Sequence, residues 1–457
     1  MMRSLFSGVS GLKNHQTRMD VIGHNISNVN TYGYKTTRVT FQDMLSQTLS
    51  GAAKPEENKG GVNPRQVGLG MTIASIDRLF TQGSLQTTGN QTDLAISGDG
   101  FFVVSEGGKN YYTRAGNFAL DRDGKLVNPA NGLRVQGWQS QVTETGERKT
   151  FTSGTPEDVI VPVYGKVDAR ETTYVRYKCN LDSKMPIVPA NADGKQRAND
   201  GVTTNIDVFD KLGDPHRMTL TFWRTGANQW TASAAITDSQ GLVTLDVPGG
   251  ANQAGAANLT SRMNLRFTPE GRLVSVSDDA SPDELNQGDL MVNLNYRIKD
   301  DPTIRTMRLD LGKAGLMTGI TQFSSPSTTK AVEQDGYAMG YMESFNIDNS
   351  GYITGVYSNG TKQLVGQVAM AAFTNPMGLT AAGENLFEVS NNSGMPLIGP
   401  AGEAGRGSMI AGTLEMSNVD LSEQFTDMIV TQRGFQANSR TISTSDQMLQ
   451  ELINLKR

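Results

Sequence analysis

The chain has one cysteine, Cys179, in 457 residues. A single thiol excludes an intramolecular disulfide, and by itself it cannot hold a metal. Histidine is nearly as scarce, with three in all. His15, His24 and His216 are scattered, and none has a cysteine or carboxylate cluster at ligand spacing. Long hydrophobic runs are missing too, since no stretch approaches the roughly 18 apolar residues of a membrane span. The opening "MMRSLFSGVSGLKNHQTRMD" lacks the sustained apolar core of a secretory signal, so export through a cleaved signal peptide is not expected. Charge is close to balanced, 41 basic against 46 acidic residues for a net −5, which makes nucleic acid a poor partner.

Hydrophobic residues make up 37%, low for a compact enzyme, and Gly alone occurs 50 times. Turn-rich β structure with long polar surfaces fits that balance better than one large core. Motifs that begin like catalytic or ligand sites do not finish. "GDGFFV" starts as a dinucleotide fingerprint but has Val103 where the third glycine belongs. "DRDG" (121–124) starts as a calcium loop, but its twelfth position is Gly132, not Glu. No serine or cysteine sits in a triad context. The expectation is a protein that is not an enzyme and needs neither cofactor nor metal.

The two ends carry the strongest periodicity. Leu5, Val9, Leu12, Gln16, Met19, Gly23 and Ile26 alternate spacings of four and three, which places one seam along a helix over about 4–28. Leu421, Phe425, Met428, Gln432, Phe435, Ser439, Ile442, Asp446, Leu449 and Ile453 repeat the pattern in a helix over about 419–455. Neither helix can bury such a stripe alone. An antiparallel hairpin closing an ordinary domain is one reading, and ends that pair with each other and with copies in a polymer are the other. Asn25, Asn28, Asn30 and Gly33 are turn-formers that end the first helix.

Between the ends the pattern is all β. Short strands such as "GFFVVSE" and "KLVNP" are punctuated by "GDG" and "DRDG" turns over about 71–144, and the same texture resumes near 326. The 145–325 insertion is long enough for an independent domain. Within it "TNIDVFDKLGDPHRMTLTFWRTG" reads as strand, turn, strand, with Thr219 and Phe222 among the β-formers, and "GLVTLDVPGGANQAGAANLTS" (241–261) reads as a loop. The fold class is mainly β with α-helical coiled-coil termini and nested β domains, the inner one built from both chain halves. Its parts are 1–70 with 412–457 as terminal helices and linker, 71–144 with 326–411 as a discontinuous inner β domain, and 145–325 as an inserted outer β domain.

Four segments, in this order, carry a resemblance: "NISNVNTYGYK", "FTQGSLQTTGNQTDLAISGDGFFVV", "YYTRAGNFALDRDGKLVNPANGLRVQGW" and "MIVTQRGFQANSRTISTSDQML". They are similar to the terminal signatures and shared β domain of the rod and hook family of flagellar axial proteins. "VFDKLGDPH" and "LMTGITQFSSPST" (316–328) resemble the outer domain of the hook branch and the exit from it. The resemblance implies a homopolymer: a curved, flexible tube that passes torque from rod to filament, with the terminal helices lining its inside. It implies partners in the distal rod, the hook–filament junction, the hook cap and the type III export apparatus, with no nucleic acid and no membrane insertion. A distal rod-type protein and a secreted β-rich binding module are the alternatives. The location implied is the flagellar hook, in a periplasmic flagellum if the spirochaete likeness holds.

The strand period around the single cysteine puts Val175, Tyr177, Cys179 and Leu181 on one face and Arg176, Lys178, Asn180 and Asp182 on the other. A small buried hydrophobe is therefore one reading of Cys179. Spirochaete hook proteins are similar here, with a Cys–Asn pair and a lysine upstream, and that likeness implies a lysinoalanine crosslink. In it the cysteine loses its sulfur to give dehydroalanine, and a lysine of a neighbouring subunit adds across the double bond. The matching residues are Cys179, Lys166 and, in support, Asn180, whose amide is expected to donate to a nearby carbonyl. Lys178 points to the wrong face, and Lys184 is a second possible amine. Addition needs a neutral amine, and at pH 7 a lysine of ordinary pKa is neutral only about 0.04% of the time. Burial in an interface or a neighbouring cation such as Arg176 would raise that fraction.

Overall fold

The computed structural model describes residues 2–52, 54–55, 60–143, 148–152, 154–189, 197, 199–237, 239–246, 262–277, 289–298, 301–328 and 331–454. The chain divides into two units: residues 1–163, 343–356 and 362–457 form the first, and 164–342 with 357–361 the second. The division thus falls at 164 and 342, not at 145 and 325. Strand Ala331–Gln334 explains the second shift, because it pairs antiparallel with Tyr174–Tyr177 inside the second unit.

In the first unit, helix α1 (Met2–Ser27) and helix α2 (Leu421–Asn454) lie antiparallel. Three contacts fix the direction: the Ser4 and Ser445 hydroxyls at 3.5 Å, Arg18 to Asp427 at 2.9 Å, and Asn25 to Gln424 at 3.0 Å. Asp420 caps α2, its Oδ1 accepting from the backbone N–H groups of Ser422 and Glu423 at 2.8 and 3.3 Å. This satisfies donors that an α-helix leaves open at its start and sets its first turn.

The first helix ends at Ser27, close to the expected limit near 28, and Asn25 lies inside its last turn. Asn25 is 1% exposed and every side-chain hydrogen-bonding position is used. Nδ2 donates to Thr37 O (2.8 Å) and Gln424 Oε1 (3.0 Å), and Oδ1 accepts from the Tyr34 hydroxyl and the Thr37 N–H, both at 3.0 Å. Tertiary hydrogen bonds here outweigh the local preference of asparagine for turns. The turn comes at Gly33, where φ is +68° and a Cβ would stand 2.5 Å from the backbone N of Ala115. Only glycine fits both conditions.

The β part of this unit is built from both chain halves. Arg134–Val142 pairs antiparallel with Phe101–Glu106 near its start and with Lys362–Val368 farther along. Phe101, Val103, Tyr112, Trp138 and Phe387 form its buried core. The aromatic rings of Phe80, Phe101, Phe373, Phe387 and Tyr112 meet edge to face at centroid separations of 4.8–5.8 Å, the geometry their quadrupoles favour.

The second unit holds two five-stranded sheets. One runs from Val202–Phe209 through Pro215–Gly226, Gln229–Ile236 and Arg262–Phe267 to Leu273–Ser277, all antiparallel neighbours. The "DKLGDP" turn forms as its chemistry requires: Asp210 Oδ1 accepts from the N–H groups of Leu212 and Asp214, and Gly213 sits at φ +89°. The other sheet orders Ser239–Asp246, Asp289–Ile298, Asp301–Lys313, Tyr174–Tyr177 and Ala331–Gln334, with the third and fourth strands parallel. Of the segment expected to loop over 241–261, residues up to Asp246 are strand and 247–261 lie outside the described residues. Tyr177, Phe222, Trp230, Leu294 and Leu309 belong to one large buried core of this unit.

Candidate assembly face and crosslink site

The line of closest helix contact is not the apolar line. The residues of α1 and α2 that are buried are Gly8, Gly11, Ile22 and Asn25 on the first helix and Gln424, Thr431 and Ser445 on the second. A Cβ at Gly8 would lie 3.1 Å from Ile442 Cγ1, one at Gly11 2.7 Å from Asn438 Nδ2, and one at Gly434 2.9 Å from the His15 ring. Missing side chains let the helices approach, and a knob from the partner helix fills each gap. The seam is therefore mostly small and polar, and it carries the Arg18–Asp427 ion pair.

The expected seam residues are placed accordingly. Leu5, Val9, Leu12, Met19, Ile26, Met428, Phe435, Ile442 and Leu449 are half-buried, flanking the contact line. Leu421, Phe425 and Ile453 are exposed, at 40%, 50% and 65%, together with Phe6, Ile429, Val430 and Met448. On α2 the two lines share Met428, Phe435, Ile442 and Leu449 and then part, the alternate positions shifting by one residue to Gln424, Thr431, Asn438 and Ser445. One residue on a helix is about 100° of rotation. The hairpin thus uses its polar and glycine edge internally and leaves apolar side chains facing outward.

Where the hairpin meets the β core, three ionic groups are buried that sequence reasoning did not single out. Lys35 Nζ lies 2.6 Å from Glu415 Oε1 and Arg114 Nη1 3.3 Å from Oε2, with all three side chains at most 2% exposed. Glu415 Oε1 also accepts the Gly83 N–H (2.9 Å), Lys35 donates to Thr81 O (2.8 Å), and Arg114 Nη2 donates to Gly98 O (2.8 Å). Burial is the main influence pulling the Lys35 pKa down, and Glu415 works against it. The only sequence cue was the position of Lys35 at the end of "NTYGYK".

Cys179 stands on strand Cys179–Asp182, which runs parallel to Ile320–Phe323. The face pattern is as the strand period required: Val175, Tyr177, Cys179 and Leu181 are buried. Cys179 is 5% exposed, and burial pushes its thiol up to about 12. Asn180 is held fast. Its Nδ2 donates to Ser325 Oγ (2.9 Å) and Ser325 O (3.2 Å), and its Oδ1 accepts from the Phe323 N–H (2.9 Å). The carbonyl of Cys179 itself accepts from Thr321 Oγ1 at 3.3 Å, and the same hydroxyl lies 3.3 Å from Asn180 Oδ1. A donor at the carbonyl where an enolate would develop is thus present, but it is Thr321, with the Asn180 side chain beside it.

Lys166 is elsewhere, on the short strand Lys166–Val167 paired with Tyr341 and Gly340. It is exposed, its Nζ lies 5.7 Å from the Tyr341 ring centroid, and it has no ion-pair partner among the described residues. Cys179 and Lys166 belong to different sheets. Lys184 is exposed, as is Lys178. Among the described residues no three His, Cys, Asp or Glu side chains gather as a metal site would require, and no helix is long and apolar enough to cross a membrane.

A β-rich chain whose two terminal helices fold back on each other, leaving their apolar sides unused, is the architecture of a subunit made for an axial polymer. Comparison with known proteins agrees along the whole length. Four flagellar family profiles match in order: flagella basal body rod protein (5–35), flagellar hook protein FlgE/F/G D1 domain (95–171), flagellar basal body protein FlaE D2 domain (180–337) and flagellar basal body rod FlgEFG protein C-terminal (410–455). The flagellar hook protein FlgE of Treponema pallidum is 50% identical and that of Borreliella burgdorferi 46% identical, each over 100% of both chains. That of Salmonella typhimurium is 32% identical over 99% of this chain and 100% of its own. In fold, the crystal structure of Helicobacter pylori flagellar hook protein FlgE2 superposes with a TM-score of 0.52 at 16% identity, covering 72% of this chain and all of that one. The chain belongs to the flagellar hook protein family. It is a structural component of the bacterial flagellar hook and not an enzyme.

Proposed function

We propose that the chain polymerises into the curved, flexible tube of the hook, that this tube passes torque from rod to filament, and that it is locked covalently by lysinoalanine between Cys179 of one subunit and Lys166 of the next. The observation that carries the polymer reading is the outward apolar face of the helical hairpin. Phe6, Phe425, Ile429 and Ile453 are each at least half exposed while the internal seam is polar. Apolar surface of this kind on a soluble chain asks for a partner, and repeated copies supply one. The partners in this reading are the distal rod, the hook–filament junction proteins, the hook cap and the export apparatus. The hook would lie in the periplasm if the cell is a spirochaete.

The crosslink reading is supported by separation: the two residues sit on different sheets, and Lys166 is exposed with no ion-pair partner among the described residues. In the bond-forming sequence a base removes the Cys179 Cα proton, the Cβ–S bond breaks and hydrosulfide leaves as hydrogen sulfide. The neutral amine of Lys166 then adds to Cβ, and Cα regains a proton. The Thr321 hydroxyl would stabilise charge on the Cys179 carbonyl during the first step. Boiling assembled material in SDS separates the readings. The wild-type chain is expected to stay polymeric and Cys179→Ala to fall to monomer, and a wild type that also runs as monomer would sink the crosslink. Phe425→Ser with Ile429→Ser should leave soluble subunits and no tubes in electron micrographs; tubes of normal length would refute the polymer face.

A further inference from the structure

A cavity beside the Gly33 turn holds an arginine that the fold of one chain leaves unused. Its volume is about 460 Å³, and His24, Tyr34, Lys35, Arg78, Glu384 and Phe387 are among the residues that line it. All of them belong to the first unit. Arg78 ends strand Met71–Arg78, where it stands opposite Thr37. Its guanidinium carbon lies 5.3 Å from the centroid of the Phe387 ring. That ring is fixed in turn, with Phe80 and Phe101 against it at 5.5 and 5.8 Å.

The donors of Arg78 are open. The side chain is half-buried, yet it makes no hydrogen bond and no ion pair among the described residues, and none of its nitrogens is sealed from solvent. The other basic groups on this wall are committed. Lys35 is spent on Glu415, and His24 Nδ1 donates to the Tyr34 hydroxyl at 2.8 Å, whose own proton goes to Asn25 Oδ1. Burial pulls the Arg78 pKa down, and only Tyr34 works against it. A partly desolvated guanidinium without a counter-charge is costly, and a carboxylate laid along its planar fork removes that cost with two parallel hydrogen bonds. Glu384 is exposed on the same wall and does not pair with Arg78. Its charge has the sign of an incoming anion, so it weakens the site and weighs most against anions of more than one charge.

We propose that Arg78 makes this cavity a receptor for a carboxylate group, carried by an acidic side chain of a second copy or by a free carboxylate anion. The site itself does not depend on the polymer or crosslink readings; only the second-copy source rests on the polymer.

Phenylglyoxal modification of Arg78, followed by peptide mass spectrometry on the unassembled full-length wild-type chain, tests the site without relying on a variant that must fold. N-acetylglutamate amide is expected to slow the labelling of Arg78 at millimolar concentration. N-acetylglutamine amide, which has the same shape without the charge, should be weaker by about tenfold or more. Glu384→Gln should strengthen the protection by about twofold. If the glutamate probe leaves the labelling of Arg78 unchanged, or if the glutamine probe protects it equally, the proposal is overturned. Labelling of assembled material with no probe added then identifies the source. Slow reaction of Arg78 there assigns the carboxylate to a second copy, and reaction at the rate of the unassembled chain assigns it to a free anion. A chain that forms no tubes at all would sink the polymer reading and leave the result on unassembled chains in force.

Discussion

Lys35 Nζ and Glu415 Oε1 lie 2.6 Å apart across 380 residues of sequence, and neither side chain has any exposed surface. Arg114 takes the other carboxylate oxygen, so one anion serves two buried cations. Removing one partner of a buried ionic cluster costs far more than the cluster contributes net, because the remaining charge is left without compensation. Glu415→Gln keeps the shape and removes only the charge. It is expected to lower stability by about 3–5 kcal/mol in urea unfolding of the full chain. A loss under about 1 kcal/mol, as for an exposed pair, would mean that the cluster is not what ties the terminal helices to the β core.

The glycine edge of the hairpin makes an opposite demand. In a free helix Gly11→Leu would be favourable by nearly 1 kcal/mol on propensity. Here even a Cβ would meet Asn438 Nδ2 at 2.7 Å, so the helices must part. The expected net effect is a destabilisation of about 1–3 kcal/mol, read as faster amide exchange in both α1 and α2. Unchanged or slower exchange would show that the close approach at Gly11 is not required.

Burial holds the Cys179 thiol near 12 against an ordinary value of 9.0. An acid whose folded pKa is raised favours the folded state only while it stays protonated. Its stabilising contribution is therefore complete below about pH 9 and is lost as pH rises from there toward 12. Unassembled wild-type chain should react slowly with iodoacetamide at pH 8 and at the rate of a free thiol in 6 M guanidinium, about tenfold or more faster. Stability should fall between pH 9 and 11 more steeply than in Cys179→Ala. Rapid labelling of native monomer would place the sulfur outside the core.

Periodicity conveyed the kind of element well and its orientation poorly. Two long helices, the strand alternation through Cys179 and the "DKLGDP" hairpin were all legible, because each depends on local spacing or on turn chemistry. The helix seam was not. Heptad reading follows apolar side chains, and here the helices touch along Gly8, Gly11, His15 and Arg18. The end of the first helix was legible to within a residue or so, but the four hydrogen bonds that hold Asn25 in its last turn were not, because their partners come from Tyr34, Thr37 and Gln424. The buried ionic cluster joins positions 35, 114 and 415, and no local pattern connects residues so far apart. The C-terminal edge of the second unit shifted because Ala331–Gln334 pairs with a strand some 155 residues earlier, which spacing does not reveal.

The same long-range cluster also imposes an order in time. A chain is made from its N-terminus, so Lys35 and Arg114 exist long before Glu415 does. Until that residue arrives, closing the core over either cation would bury a charge with nothing to balance it. A partial chain therefore has reason to stay open, and the last tenth of the sequence brings both the carboxylate and the helix that completes the hairpin. One glutamate, placed just before the second helix, thus supplies the charge without which the core has reason not to close over either cation.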